Sequence, residues 1–418
     1  MPILAINGGP PEAPTLGRRT PEWPTFTSKD KSALLDVLES RKWCRIYLGS
    51  KTETLEKTFS KYHDAKYGIA TANGTVSLEL ALRAMGVGFS DEVIVPALTF
   101  IATASAVTSV GAIPVFADVN PETGTLDSKA VENVISKKTK AVIVVHYGGY
   151  PADMDALPSV TKKLGLMLLE DSAHAHGTEW RGHKVGSIAE MGSFSFQESK
   201  PLTAGEGGMV LTNDDDLEQK ARLIHNVGRV VGKPGYEHFT LSSNYRMSEF
   251  HAALLLSQFE SFPSQLDLKE RNASYLVEKL GLLGITAQKS DTRITKHGYY
   301  KLVMQYNSEN FDGVPRARFI AALNAEGVPV VAPPPLLYKQ PAFQEDNLKR
   351  VLPKVVSLPD YSKVSLPNSE RFNLAEISLF HQVLLSDKEV MDLIVSCVEK
   401  IQKHIDELKE IHPSISAH

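Results

Sequence analysis

Residues 141–174 read AVIVVHYGGYPADMDALPSVTKKLGLMLLEDSAH. An apolar run at 141–146 is followed by a helix-length stretch within 151–164 and a second apolar run at 166–170. Short runs this rich in β-branched and aliphatic residues predict strands, and strands without a polar face belong to a sheet covered on both sides. The same rhythm extends outward. YGIAT (67–71), EVIV (92–95) and IPVFA (113–117) lie on the N-terminal side, GSFSFQ (192–197) and GGMVLTN (207–213) on the other. Helical stretches separate them. One places Leu78, Ala81, Leu82 and Met85 on a single face, and another is expected at about 214–224. Strand–helix alternation of this kind predicts an α/β layered domain with right-handed crossovers.

The flanks read differently. Residues 1–25 hold six prolines and little periodicity, which predicts an extended arm that packs against a neighbour. Ser28 is placed to cap a first helix to about Ser40. Leu55, Phe59 and Tyr62 mark a second helix over about 52–63. A long helical pattern starts near Arg246 and resumes after Pro263, running to about Leu280. Beyond it come a strand in YYKLVMQY (299–306), a helix at 315–326, a Pro-rich loop at 332–343 and a closing helix at about 387–409. The division expected is an arm (1–25), a large domain (26–262) and a smaller α+β domain (263–418).

Composition narrows the function. The 418 residues are 42% hydrophobic and 22% charged, which excludes a disordered or fibrous chain. No 18-residue uncharged apolar run is present, so no membrane span is expected. The formal charge is −4 with no basic block, which argues against nucleic acid or acidic membranes as partners. Two distant cysteines, Cys44 and Cys397, and no signal-peptide pattern fit a reducing, cytoplasmic setting.

Three places carry chemistry. Ala72-Asn73-Gly74-Thr75 forms a small turn between a strand and a helix, where free N–H groups and the positive dipole end suit a phosphate. Taken alone it reads first as an ordinary helix cap. Asp171 ends the strand at 166–170, at the sheet edge where α/β proteins bind ligands, and an acid there can hold a cationic ring nitrogen or cap a helix. Lys200 sits between a strand and a Gly-rich bend, ESKPLTAGEGG (198–208). Such a lysine can form a Schiff base with a carbonyl cofactor if burial or a nearby cation lowers its pKa; otherwise it is a surface lysine. His174 and His176 follow Asp171 without zinc-type spacing, so no metal site is expected. Together the phosphate turn, the strand-end acid and the loop lysine are the three handles of pyridoxal phosphate. An acid about 4 Å from the ring nitrogen, at an effective dielectric near 20, contributes on the order of 4 kcal/mol, roughly three pKa units.

Five motifs carry a likeness over nearly the whole chain: ATANGTVSLELAL (70–82), PALTFIATASAV (96–107), LLEDSAHAHG (168–177), GSFSFQESKPLTAGEGGMVLTND (192–214) and SSNYRMSEFHAA (242–253). With them the sequence resembles the DegT/StrS-type sugar aminotransferases, which are fold-type-I pyridoxal-phosphate enzymes. The resemblance implies a large, mainly parallel α/β/α sandwich with a smaller α+β C-terminal domain. It implies that Lys200 holds the cofactor and shuttles the proton, and that Asp171 binds the pyridine nitrogen. Gly74, Thr75 and Ser195 would hold the phosphate, with Phe100 and Ala173 on the two faces of the ring. His174 stands where most of the family has a glutamine that contacts the ring's phenolic oxygen. Asn244 matches an asparagine that reaches the neighbour's phosphate, which implies a homodimer with shared sites.

Within that family LAINGGPP (4–11), RRTPEWP (18–24) and FHQVLL (380–385) look like the cyclitol branch, which includes glutamine:scyllo-inosose aminotransferases and 3-amino-5-hydroxybenzoate synthases. Tyr338 and His381 match segments that line the substrate opening in that branch; a packed histidine and a loop tyrosine are the plain alternatives. The implied reaction is ping-pong, from glutamine or glutamate to a keto group on a cyclitol or sugar. Lys200 argues against the related dehydratases, which carry histidine there, and the absence of a basic helix-turn-helix pattern argues against a non-catalytic regulator. A nucleotide-linked keto-sugar would need cations for its diphosphate, for which Arg18, Arg19, Arg41, Arg229 and Lys233 are candidates.

Overall fold

The structure, a computed structural model, describes residues 3–46, 49–230, 236–352 and 358–409. Its centre is a seven-stranded sheet. In chain order the strands are β1 (Tyr67–Thr71), β2 (Glu92–Pro96), β3 (Ile113–Ala117), β4 (Thr139–Val145), β5 (Met167–Asp171), β6 (Met191–Ser195) and β7 (Gly208–Thr212). Across the sheet they lie β1-β7-β6-β5-β4-β2-β3. Pairings among β3, β2, β4, β5 and β6 are parallel, and β7 is antiparallel to both its neighbours. Six strands therefore point the same way, and their carboxyl ends form one edge.

Alternate residues serve opposite cores. Val93, Val95, Ala141, Ile143 and Leu169 pack beneath helices Gly74–Ala84 and Ala102–Ser109. Ile94, Val142, Val144 and Leu168 pack on the other face with Ala130, Val131 and Leu157 of helices Ser128–Val134 and Ala156–Leu164. A period of two with both faces buried explains why the strands carry no polar alternation.

A second sheet holds β8 (Ile285–Ala287), β9 (Lys301–Tyr306), β10 (Val330–Val331) and β11 (Glu376–Phe380), all antiparallel, in the order β8-β9-β11-β10. Helices Phe262–Leu282, Arg316–Glu326 and Lys388–Lys403 share a core with it. Pro263 stands in the first turn of helix Phe262–Leu282, just past helix Glu249–Phe259, so the boundary falls where the missing N–H costs least. The closing helix ends at Lys403, and a 3₁₀ turn, Ile405–Leu408, follows.

Two expectations are revised. The N-cap of helix Ser28–Ser40 is Thr27, whose hydroxyl accepts from Lys29 N–H and whose own N–H donates to Asp30 in a capping box. The proline-rich start is not extended throughout. It forms a 3₁₀ turn, Ala5–Asn7, and a helical turn, Leu16–Arg19, and it buries Leu4, Ala13 and Leu16 in the second core of its own chain. Glu407 and Glu326 accept from its backbone at Ile3, Leu4, Ala5 and Glu12, and these bonds explain the folding back. Both cysteines are free, and among the described residues no helix is long and apolar enough to cross a membrane.

Three histidines, His63 and His225 buried and His297 half-buried, make the fold acid-sensitive. Burial pushes His63 and His297 down to about 3 and His225 to about 4. A depressed pKa means the folded chain takes up these protons later than the unfolded chain, so stability is full above about pH 6.5 and is lost as pH falls toward the folded values. Urea unfolding should show a loss of about 1.4 kcal/mol per pH unit for each histidine between pH 6.5 and 4.5. A flat profile over that window would show that they bind protons in the folded state.

Candidate active site

Eight of the residues singled out in the sequence meet at the carboxyl edge of the large sheet. Gly74, Thr75, Phe100, Asp171, Ala173, His174, Ser195 and Lys200 line one cleft of about 730 Å³. Each arrives by its own route. After β1 the chain turns into helix Gly74–Ala84, and the side chain of Asn73 caps it by accepting from Val76 N–H at 3.0 Å. The N–H groups of Gly74 and Thr75 then face the cleft at the positive end of the helix. A Cβ at Gly74 would sit 2.6 Å from Ser195 Cβ. Only glycine lets the helix start this close to the hydroxyl of Ser195, and the result is a cradle of N–H and O–H donors.

Asp171 closes β5 and is buried. Its Oδ2 accepts from Thr103 Oγ1 at 2.7 Å and its Oδ1 from Ala173 N–H at 3.2 Å. Thr103 is in turn bonded to Thr99, 2.9 Å away. Burial raises the carboxyl's pKa; Thr103, the Ala173 N–H and Lys200 oppose that rise. Lys200 is buried too. Burial lowers its pKa to about 7, Asp171 acts in the other direction, and Lys301 lowers it further. Its Nζ lies 4.2 Å from the ring centre of Tyr300.

The loop beneath Lys200 is clamped. Ser199 N–H and Oγ donate to Gln197 Oε1 at 2.9 and 2.7 Å, and Ser199 Oγ also meets Tyr300 Oη at 2.9 Å. His381 Nε2 donates to the Ser199 carbonyl at 3.0 Å, and the Trp23 indole donates to the Glu198 carbonyl at 2.9 Å. Positive φ at Gly205 (82°) and Gly207 (151°) turns the chain back into β7. His174 stacks on Tyr300 at 4.3 Å, and its Nδ1 accepts the Gly148 N–H at 3.4 Å. Burial holds its pKa well below the usual histidine value, so the ring is neutral and carries its proton on Nε2.

Other expected residues stand elsewhere. Tyr338 packs in the large core beside Phe116, and its hydroxyl donates to Glu370 at 2.5 Å. His381 lies behind the cleft, edge-on to Trp23, with its contact to the Ser199 carbonyl. Asn244 is exposed, in a backbone bridge with Asn226, away from the cleft of its own chain. Arg18, Arg19, Arg41 and Arg229 do not line the cleft; Arg19 pairs with Asp387 and Glu389. Lys233 lies outside the described residues. Sequence reasoning missed Thr103, Tyr147, Tyr300 and Lys301, all of which line the cleft. Thr103 sits inside the quoted PALTFIATASAV motif, but nothing local marks the other three.

The donor set suits a phosphorylated carbonyl cofactor with a basic ring: an N–H and hydroxyl cradle, a buried acid and a buried amine. Comparison with known proteins agrees. Residues 24–398 match the model of the DegT/DnrJ/EryC1/StrS aminotransferase family.

The chain belongs to that family.

It is an aminotransferase. An L-glutamine:scyllo-inosose aminotransferase of Streptomyces griseus is 36% identical over 98% of this chain and 99% of its own length. An L-glutamine:2-deoxy-scyllo-inosose aminotransferase of Micromonospora echinospora is 35% identical over 98% of this chain and all of its own. The crystal structure of a 3-amino-5-hydroxybenzoic acid synthase superposes with a TM-score of 0.80 at 32% identity, covering 92% of this chain and 99% of that one.

The lowered pKa of Lys200 gives this aminotransferase a testable signature. At pH 7 about half of the cofactor-free molecules carry a neutral amine there, against very few at an ordinary lysine. Mass spectrometry after brief treatment with a small acylating reagent should find Lys200 modified ahead of the surface lysines. Lys301→Met removes a like charge and should move the reactivity of Lys200 to higher pH. Reactivity matching that of surface lysines would contradict the burial argument.

Proposed function

We propose that this aminotransferase binds pyridoxal 5'-phosphate and moves an amino group from L-glutamine to a keto group of a cyclitol, by alternating donor and acceptor half-reactions. The observation that carries the reading is the meeting of Lys200, Asp171 and the Gly74–Thr75 cradle on one cleft. When bound, the cofactor supplies an aldehyde that captures amines and a protonated ring that draws electron density from the α-carbon.

The chain's own groups do the rest. Gly74 and Thr75 N–H and the Ser195 hydroxyl bind the phosphate at the helix end. Asp171 holds the proton on the ring nitrogen, and Thr103 and the Ala173 N–H keep its carboxylate aimed. Phe100 and Ala173 confine the two ring faces. His174 offers its Nε2–H to the ring's phenolic oxygen, the task that glutamine performs in most of the family. Lys200 presents a neutral amine to the aldehyde and, once displaced by the donor, carries the proton to and from the α-carbon.

The names of the relatives support glutamine as donor and a cyclitol ketone as acceptor. The likeness of TPEWP and FHQVLL to the same branch adds to that support. Asn244, exposed on its own chain, is proposed to complete the phosphate site of a partner subunit in a homodimer. Exposed apolar side chains, Leu35, Leu38, Trp43 and Leu241, supply surface for such a contact.

Absorbance of the cofactor-loaded enzyme tests the reaction. L-glutamine should discharge the visible band faster than L-glutamate, and a keto-cyclitol should restore it. Lys200→Ala should keep the fold and lose all turnover. A band that no amino acid discharges would overturn the aminotransfer reading. Sharing across the dimer is tested with Asn244→Ala, which should be impaired on its own. Mixed with Lys200→Ala it should regain activity, because one site of each mixed dimer then holds a native Lys200 and a native Asn244. No recovery in verified mixed dimers would count against a shared site.

A further inference from the structure

Lys301 opens β9, half-buried, and lines the same cleft as Lys200 and Tyr300. Among the described residues its Nζ makes no hydrogen bond and no ion pair; it lies 4.8 Å from the ring centre of Phe380 and 6.0 Å from that of Tyr300. Its pKa is held down by burial and raised only by the charge of Glu376. Glu376 does not pair with it at close range and turns its carboxylate to other donors. Its carboxylate already accepts from Tyr147 Oη at 2.9 Å and from Ser378 Oγ at 2.8 Å. A cation withdrawn from water without a hydrogen-bonded anion is poorly stabilised, and proteins keep such groups where a ligand supplies the missing charge.

The rest of the cleft says which charge that is. Under the reading above, the cradle at Gly74 takes the phosphate, Asp171 faces the ring nitrogen and Lys200 meets the aldehyde. Lys301 is then the one cationic side chain left lining the cleft among the described residues. The keto-cyclitol is uncharged. The anion that enters is the α-carboxylate of the amino donor.

We infer that Lys301 is the docking cation for the α-carboxylate of the amino-acid donor. The inference rests on the proposed aminotransfer reaction. It gives Lys301 a carboxylate to bind in the donor half-reaction and none in the acceptor half-reaction. A carboxylate seated on it also cancels the positive charge beside Lys200, so donor binding leaves Lys200 a better base than it is in the empty cleft.

The test compares wild type, Lys301→Met and Lys301→Arg, loaded with cofactor, against three probes: L-glutamine, L-glutaminol (CH₂OH in place of the carboxylate) and a keto-cyclitol. Lys301→Met should raise the L-glutamine concentration needed for half-saturation by about 10- to 100-fold, the loss of a charge-assisted hydrogen bond. It should leave the half-saturating concentrations of L-glutaminol and the keto-cyclitol as in wild type, whatever the altered charge beside Lys200 does to the rates, and Lys301→Arg should recover most of the loss in L-glutamine binding. Lys301→Gln replaces the methionine variant if that one does not fold. Equal weakening for L-glutamine and L-glutaminol would overturn the assignment in favour of a structural role, as would unchanged L-glutamine binding or a loss confined to the keto-cyclitol. A wild type that binds no amino acid would overturn the aminotransfer reading along with it.

Discussion

A carboxylate held out of water at the end of a buried strand calls for a cation, and this requirement organises the molecule. Two neighbours on β5 show the contrast. Glu170 points to one face, where four donors satisfy it: His146 Nε2 at 3.0 Å and the N–H groups of Gly186, Ile188 and Ala189 at 2.7–2.8 Å. It is a closed structural ion that fastens the 186–189 turn to the sheet. Asp171 points to the other face, where Thr103 and the Ala173 N–H alone among the described residues reach it. Its remaining acceptor capacity opens onto the cleft. Adjacent acids on one strand thus divide the labour, one completing the fold and the other left for a ligand.

Parallel strands make that division possible. Because β4, β5 and β6 run together, Val145, Asp171 and Ser193 fall in register at one edge. Ser195, at the end of β6, then lies beside the start of helix Gly74–Ala84, and the sheet places the acid and the phosphate cradle without help from long loops. The second sheet closes the opposite wall with Tyr300 and Lys301, so the cleft is lined from both sheets.

How much of this was legible follows from where each signal lies. The strands were readable because both faces are buried, which leaves an unbroken apolar word. Lys200, Asp171 and Gly74 were readable because each sits in a local motif of strand, turn and small residues. Tyr300 and Lys301 were not. They start an ordinary strand, and only the packing of the second sheet against the first brings them to the cleft. Tyr338 misled because an aromatic in a proline-rich loop looks available, whereas here the loop folds onto Phe116 and buries it. The proline-rich start misled for the reverse reason: prolines suggest an extended arm, but Glu326 and Glu407, some 300 to 400 residues away, gather its N–H groups and no nearby residue announces them.

The clamp on the lysine loop has a consequence for the order in which the chain is made. The Glu198 carbonyl is held from residue 23 and the Ser199 carbonyl from residue 381. One anchor precedes the large sheet in chain order and the other follows it. The large sheet can assemble on the nascent chain as soon as β7 emerges. The amine of Lys200 acquires its full setting only when His381, just past β11, arrives. A product that stops before His381, however well its first sheet folds, carries Lys200 on a loop that lacks one of its two anchors.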